Sequence, residues 1–201
     1  MKSNPINIIL LGDPAAGKAT HGQRLIKKYP LIDLDMGKEL RKIKNKNKFN
    51  LKNTLDKGKL TPTKLVRTLL HEKIKAAPKN KGILFNGTPK MLGEAKLVQK
   101  WLRAEGRREA ILVYLSVPMK ETIRRMRNRQ EYFKGKFSKR FDDTDRALKN
   151  RLRYYRQNIS QVVKFFKTYY PYKKISTVGS VTGTFKKVDA HVGKYFKDEK
   201  K

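Results

Sequence analysis

INIILLGDPAAGKAT, residues 6–20, is an apolar run of strand length that ends in glycine and passes through a second glycine into lysine, alanine and threonine. The run predicts a buried strand. THGQRLIKKY (20–29) then repeats apolar residues at helical spacing, so the segment is read as strand, loop, helix. A glycine-rich turn in that setting aims successive backbone N–H groups at a phosphate, and the helix N-terminus adds partial positive charge. Gly12 and Gly17 supply the turn, Lys18 reaches the outer phosphates, and a hydroxyl in the first helical turn joins a magnesium shell. The strict pattern G-x-x-x-x-G-K-[ST] wants a hydroxyl at position 19, where the chain has Ala19; Thr20, one residue on, restores it.

Outward from this loop, LIDLD (31–35), KGILFNG (81–87) and EAILVYLSV (109–117) are apolar runs of strand length ending in turn or breaker residues, and KKISTV (173–178) reads as a fifth strand. Helical patterns lie between them: TPTKLVRTLLHEKI, MLGEAKLVQKWL, PMKETIRRMRNR, the long DDTDRALKNRLRYYRQNISQVVKFFKTYY, and TFKKVDAHVGKYF. This alternation predicts an α/β fold, a parallel sheet with helices on both faces. Two stretches break it. Residues 36–61 are helical in propensity but polar, and read as an insertion; QEYFKGKFSKRF (130–141) is short, basic and carries a glycine, and reads as a mobile loop projecting from the sheet. Trp101, Phe165, Phe166, Tyr169 and Tyr170 sit at helical spacing and read as packing residues rather than a base-stacking platform.

Composition bounds the function classes. A chain of 201 residues with 38% hydrophobic content suits one α/β core with small inserted elements. It has no cysteine, which excludes disulfides and thiolate metal sites, and His21, His71 and His191 are too scattered for an imidazole cluster. The four-residue apolar run Ile8–Leu11 is too short for a secretory core and nothing downstream has membrane-spanning length, so a soluble cytoplasmic protein is expected. Fifty Lys and Arg against seventeen Asp and Glu give a formal net charge of +33, which implies polyanionic partners. Nucleotides, nucleic acid or both satisfy that charge, as does compositional drift toward lysine on solvated faces such as KIKNKNK and the terminal KDEKK.

The threonine displaced by one place makes GDPAAGKAT resemble the loop of nucleoside monophosphate kinases, the adenylate kinases in particular. Further segments continue the resemblance in order. DMGKELRK (35–42) resembles the opening of that family's monophosphate-binding insertion, LDKGKLTPTKLV (55–66) its exit, and ILFNGTPK (83–90) the strand end that the family writes LDGFPR. IRRMRNR (123–129) supplies two arginines four apart, and KRFDDTDRALKNRL (139–152) matches the lid exit. The resemblance covers nearly the whole chain. It implies a P-loop NTPase-type three-layer α/β/α fold with a five-stranded parallel sheet, in one kinase domain: core 1–34, 67–129 and 142–201, a helical monophosphate-binding insertion over about 35–66, and a short lid over about 130–141 without the four-cysteine zinc site of some members. A monomer is implied by the same analogy.

The activity so implied is transfer of the γ-phosphoryl of MgATP to a nucleoside monophosphate, with magnesium as cofactor and no zinc. Two polyanions must be brought together, so the site needs converging cations rather than a general base, and guanidinium groups bind phosphate bidentately. By resemblance Gly12, Ala15, Ala16, Gly17, Lys18, Ala19, Thr20, Arg125 and Arg129 bind ATP, with Arg125 against the adenine. Met36, Arg41, Leu60, Thr61, Val66, Gly87, Lys90, Glu94, Arg140 and Arg151 bind the acceptor, and Lys18, Lys90, Arg129, Arg140 and Arg151 are the catalytic cations. Thr20 is expected to serve magnesium through ATP and Asn86 to act on its waters. Arg125 and Arg129, one helical turn apart, are expected to face one cleft.

Several positions depart from the family. Asn86 stands where an aspartate orders the magnesium waters, Lys90 replaces an arginine, Met36 replaces a threonine opposite the acceptor base, and Ala15 replaces a glycine. Glu94 stands where a glutamine reads adenine with both ends of its amide; ionised, it accepts but does not donate. Adenine N6 and cytosine N4 both satisfy such an acceptor, so AMP is the favoured acceptor and CMP the alternative. A second class of reading keeps ATP binding but replaces the kinase by a slow ATPase or a binding module whose basic surface serves RNA or a ribonucleoprotein.

Overall fold

A computed structural model describes residues 5–43, 63–128, 130–133, 136–139, 152–153 and 155–196. Five parallel strands form the central sheet: β1 (Asn7–Gly12), β2 (Leu31–Leu34), β3 (Gly82–Asn86), β4 (Ala110–Ser116) and, after a separate hairpin, β7 (Tyr172–Ser176). Their spatial order is β2-β3-β1-β4-β7. Register is set by β1, whose Ile8, Ile9 and Leu10 lie beside Leu84, Phe85 and Asn86 of β3, and whose Asn7 to Gly12 run beside Ala110 to Leu115 of β4.

Seven α-helices are described: α1 (Lys18–Lys28), α2 (Met36–Lys42), α3 (Thr63–Ala76), α4 (Leu92–Ala104), α5 (Met119–Arg127), α6 (Ser160–Tyr169) and α7 (Val181–Phe196). Alternate β1 residues feed two separate cores. Ile9 and Leu11 pack with Leu70 and Ile74 of α3, Val98 of α4 and Phe166 of α6, whereas Ile8 and Leu10 pack with Leu25 of α1 and Val188 and Val192 of α7. A strand buried on both faces reads as a continuous apolar run, which is why INIILLG and AILVYLS lack alternation. Each fully buried Ile or Leu contributes about 1.5–3 kcal/mol.

Local chemistry fixes the helix ends. Asp35 begins α2, its carboxylate accepting from the Lys38 N–H at 3.1 Å. The Ser180 hydroxyl accepts from the Gly183 N–H at 3.0 Å at the start of α7. After α4, Gly106 takes a φ of 58°, and the Gly106 and Arg107 N–H groups return to Arg103 and Leu102 carbonyls. The buried Arg107 then donates to the carbonyls of Ala77, Pro78 and Lys81 just past α3, locking that helix end to the β3 approach. At the outer strand β7, Lys173 and Lys174 are exposed while Ile175 is buried.

Two expectations change in detail. Two short antiparallel strands, β5 (Gln130–Phe133) and β6 (Lys136–Lys139), pair where the sequence reading had a loop. In the described part of the long helical stretch before β7, a π-helical turn over Tyr155–Ile159 runs into α6. Of the stretch 36–61 read as an insertion, α2 covers Met36–Lys42, and residues 44–62 lie outside the described residues.

Candidate active site

β3, β1 and β4 are adjacent and parallel, so their carboxyl ends lie along one edge of the sheet, the side on which open α/β sheets bind ligands. β1 ends at Gly12, whose backbone passes so close to β4 that a Cβ there would lie 2.4 Å from the Leu115 carbonyl oxygen. Only glycine fits. The Asp13 N–H donates to that same carbonyl at 2.9 Å, and the loop 13–17 then turns into α1. Gly17 sits at φ 80°, as the left-handed helix entry requires, and Ala15 also takes φ 58°. A side chain in that region costs about 1–2 kcal/mol, the physical reason glycine is the easier residue at position 15.

Asp13 anchors the loop through its side chain. Its Oδ1 accepts from the Tyr114 hydroxyl at 2.9 Å and its Oδ2 from the Val117 N–H at 2.8 Å, so one half-buried carboxylate ties the loop to both sides of the β4 terminus. Burial and the Asp13 charge push the Tyr114 hydroxyl well above its ordinary range, which keeps it a donor. The Lys18 ammonium donates to the carbonyls of Gly12 at 2.7 Å and Asp13 at 2.8 Å, at the mouth of the loop. Ala16 is buried beneath it, and Ala19 and Thr20 are exposed in the first turn of α1.

The β3 terminus forms the facing wall. Gly87, at φ 70°, is packed so that a Cβ would lie 3.4 Å from Lys18 Cε. A cis Thr88–Pro89 peptide follows, then exposed Lys90 and the first turn of α4. Glu94 is buried there, with Oε2 accepting from the Lys90 N–H at 3.1 Å and the Met91 N–H at 3.3 Å. Burial raises its carboxyl above the usual range, partly offset by those two N–H groups and by Lys90 and Arg67.

Asn86 is buried under α1, where Gly22 leaves room for it; a Cβ on Gly22 would lie 2.8 Å from Asn86 Nδ2. That amide donates to Asp33 Oδ1 at 3.2 Å, and Asp33 Oδ2 accepts from Lys38 at 2.8 Å and Gln23 at 3.2 Å. The carboxylate missing at position 86 is therefore present one strand over. Asp33 was not singled out in the sequence; its signal is a polar residue at the carboxyl end of an otherwise apolar parallel strand. Asp13 was missed too, because its partner Tyr114 is 101 residues away in sequence.

The remaining expected residues divide. Met36 and Val66 are buried in one core cluster with Leu40 and Leu70, and Arg41 folds back along α2 with its guanidinium 3.4 Å from where a Gly37 Cβ would stand. Arg125 is pinned: Nε donates to Glu121 at 2.6 Å, and its terminal nitrogens donate to the hydroxyl and carbonyl of Thr177 at 3.1 and 2.9 Å. Arg124 and Arg125 on its carboxylate pull Glu121 down to about 2. α5 ends at Arg127 with Asn128 as its C-cap; Leu60, Thr61, Arg129, Arg140 and Arg151 lie outside the described residues. No group of three His, Asp or Glu able to hold a metal by itself occurs among the described residues, and none of their helices is long and apolar enough to cross a membrane.

Comparison of the sequence with those of known proteins identifies the family. The family model for adenylate kinase matches residues 10–170. An adenylate kinase of Bacteroides thetaiotaomicron is 30% identical over 183 residues, covering 90% of this chain and 94% of that protein. One from Flavobacterium johnsoniae is 30% identical over 188 residues, with 88% and 92% covered, and one from Azobacteroides pseudotrichonymphae is 29% identical over 195, with 96% and 100% covered. With the loop, the facing β3 wall and a match over most of its length, the chain belongs to the adenylate kinase family and is a phosphotransferase of the nucleoside monophosphate kinase class.

Proposed function

We propose that the protein transfers the γ-phosphoryl group of MgATP to AMP, giving two ADP. An oxygen of the acceptor phosphate attacks the γ-phosphorus in line, the bond to the β–γ bridging oxygen breaks, and the electron pair leaves on the β-phosphate. No general base is needed, since the acceptor oxygen is already anionic near neutral pH. The observation that carries the reading is the Lys18 ammonium, held at the mouth of a loop of backbone N–H groups and packed against Gly87 of the opposite wall. From there it reaches the β- and γ-phosphates as they enter the loop.

Lys90 and Arg41 hold the acceptor phosphate, Met36, Leu60, Thr61, Val66, Gly87 and Glu94 form its base pocket, and Arg125 lies against the ATP adenine. Arg129, Arg140 and Arg151 surround the transferring group. Residues about 35–66 and 130–141 act as the closing elements, excluding water that would otherwise accept the phosphoryl group. The site fits magnesium carried in by ATP: exposed Thr20, the Asn86 amide and the Asp33 carboxylate are hard oxygen donors suited to a largely hydrated ion. Bound there, magnesium would supply positive charge against the β- and γ-phosphate oxygens.

The test is a screen of AMP, CMP, UMP, GMP and dTMP as acceptors with MgATP, on the parent and on Lys18→Ala and Arg129→Ala. ADP formed fastest with AMP, and cut severely by both substitutions, is expected. Absence of ADP with every acceptor would remove the proposal.

A further inference from the structure

An open recess of about 250 Å³ lies between the sheet and α6. Tyr114 and Lys174, paired directly across β4 and β7, line it together with Tyr172, Tyr155 of the π-helical turn, and Ser160 and Val163 of α6. Tyr172 and Lys174 share one strand face, while Ile175 points into the opposite core. The walls are therefore largely aromatic, with the Tyr114 and Tyr155 rings 6.5 Å apart and tilted by 41° rather than stacked. The Tyr155 hydroxyl is buried without a hydrogen-bond partner, an unmet polar group in the wall. Charge here is one-sided. Exposed Lys174 makes no ion pair among the described residues, whereas the Lys167 ammonium already lies 4.9 Å from the Tyr172 ring centre. Among the described residues, the one carboxylate bonded to a lining side chain is Asp13, and Tyr114 and the Val117 N–H engage both of its oxygens.

We propose that this recess is a second ligand site, for an aromatic monocarboxylate of one or two rings, and that Tyr114 relays its occupancy to the phosphate loop. An apolar cavity of about 150 Å³ takes benzene; one of about 250 Å³ takes a fused pair of rings or one substituted ring. Flat rings pack against the tyrosines, and one uncommitted ammonium matches one negative charge. The overall charge of +33 draws anions of any shape, and the aromatic lining selects flat ones. Tyr114 has its ring in the recess and its hydroxyl 2.9 Å from Asp13 Oδ1, so a ligand that shifts the ring disturbs the bond holding the loop. The relay rests on the loop holding ATP, as read above; the site itself does not.

The test titrates the intact chain with naphthoate by calorimetry, with uncharged naphthamide as the control. Naphthoate is expected to bind with a dissociation constant of about 1 mM or tighter, and naphthamide several-fold more weakly. Lys174→Glu should weaken naphthoate about tenfold and leave naphthamide within about twofold. Ser160→Trp, which sets an indole at the recess from an exposed position, should weaken both; circular dichroism checks each fold, and either variant alone decides. No binding of naphthoate up to about 10 mM overturns the site. So does an affinity that the folded variants leave unchanged, or one that naphthamide equals. For the relay, the ATP dissociation constant should shift by about threefold or more under saturating naphthoate in the parent and stay constant in Tyr114→Phe. An unchanged constant in the parent, or an equal shift in Tyr114→Phe, overturns the relay. ATP that fails to bind at all removes the relay and the phosphotransfer reading together, while naphthoate binding stands or falls on its own arm.

Discussion

The Asp13 carboxylate is a strut between the phosphate loop and β4, and cutting either end has a calculable effect. Tyr114→Phe removes one hydrogen bond of 2.9 Å to a carboxylate and leaves the Val117 N–H bond of 2.8 Å in place. Bonds to charged groups contribute about 1.5–3 kcal/mol; with Asp13 half-exposed to water, about 1–2 kcal/mol is expected. Asp13→Ala removes both bonds and leaves the Val117 N–H without its partner, for about 2–4 kcal/mol. For a chain of this length about 1 kcal/mol moves Tm by roughly 2–4 °C. The phenylalanine variant should therefore melt about 2–8 °C lower and the alanine variant about 4–16 °C lower. Once Asp13 is gone, Tyr114→Phe should cost almost nothing more, a coupling of about 1–2 kcal/mol in a double-mutant cycle read by urea unfolding. The loosened loop should also raise KM for MgATP several-fold. Strict additivity of the two substitutions, or an unchanged KM in folded Asp13→Ala, would refute the strut.

Other outcomes follow from single contacts. Arg107→Ala, which deprives the carbonyls of Ala77, Pro78 and Lys81 of their partner, should lower unfolding free energy by about 2–4 kcal/mol with KM values unchanged, as denaturation and steady-state kinetics will measure. Gly12→Ala forces a Cβ to 2.4 Å from a strand carbonyl and should cost about 4 kcal/mol or more, seen as loss of the folded fraction in circular dichroism. His21 is buried with Nδ1 unpartnered, and burial with Arg24 and Arg125 holds its pKa below the ordinary value, so the unfolded chain binds the proton more readily. Its contribution is complete above about pH 6.5 and falls as pH drops below that; urea midpoints should decline there in the parent and less in His21→Gln.

The sheet was legible because strands buried on both faces, such as Asn7–Gly12 and Ala110–Ser116, write continuous apolar runs between glycines and prolines. The phosphate loop was legible because its glycines have steric reasons: Gly12 against Leu115, Gly17 at positive φ. Ala15 was seen as a departure, but the turn it occupies, at φ 58°, emerges only from the folded backbone. What escaped was whatever depends on strands being neighbours. Asp33 meets Asn86 across 53 residues of sequence and Asp13 meets Tyr114 across 101, and neither pair has a local signature. The pairing of β5 with β6 escaped too, because Gln130–Phe133 and Lys136–Lys139 mix charged, polar and aromatic residues and contain no continuous apolar run.

The outer strand β7 shows one use for some of the lysine surplus. A sheet margin carries unpaired backbone groups able to recruit a strand from another molecule, and on β7 that margin bears Lys173 and Lys174, both in water. A second copy approaching edge-on brings its own ammonium groups, so like charges repel before backbones meet. The consequence is protection against sheet-to-sheet aggregation that weakens as salt screens the charge.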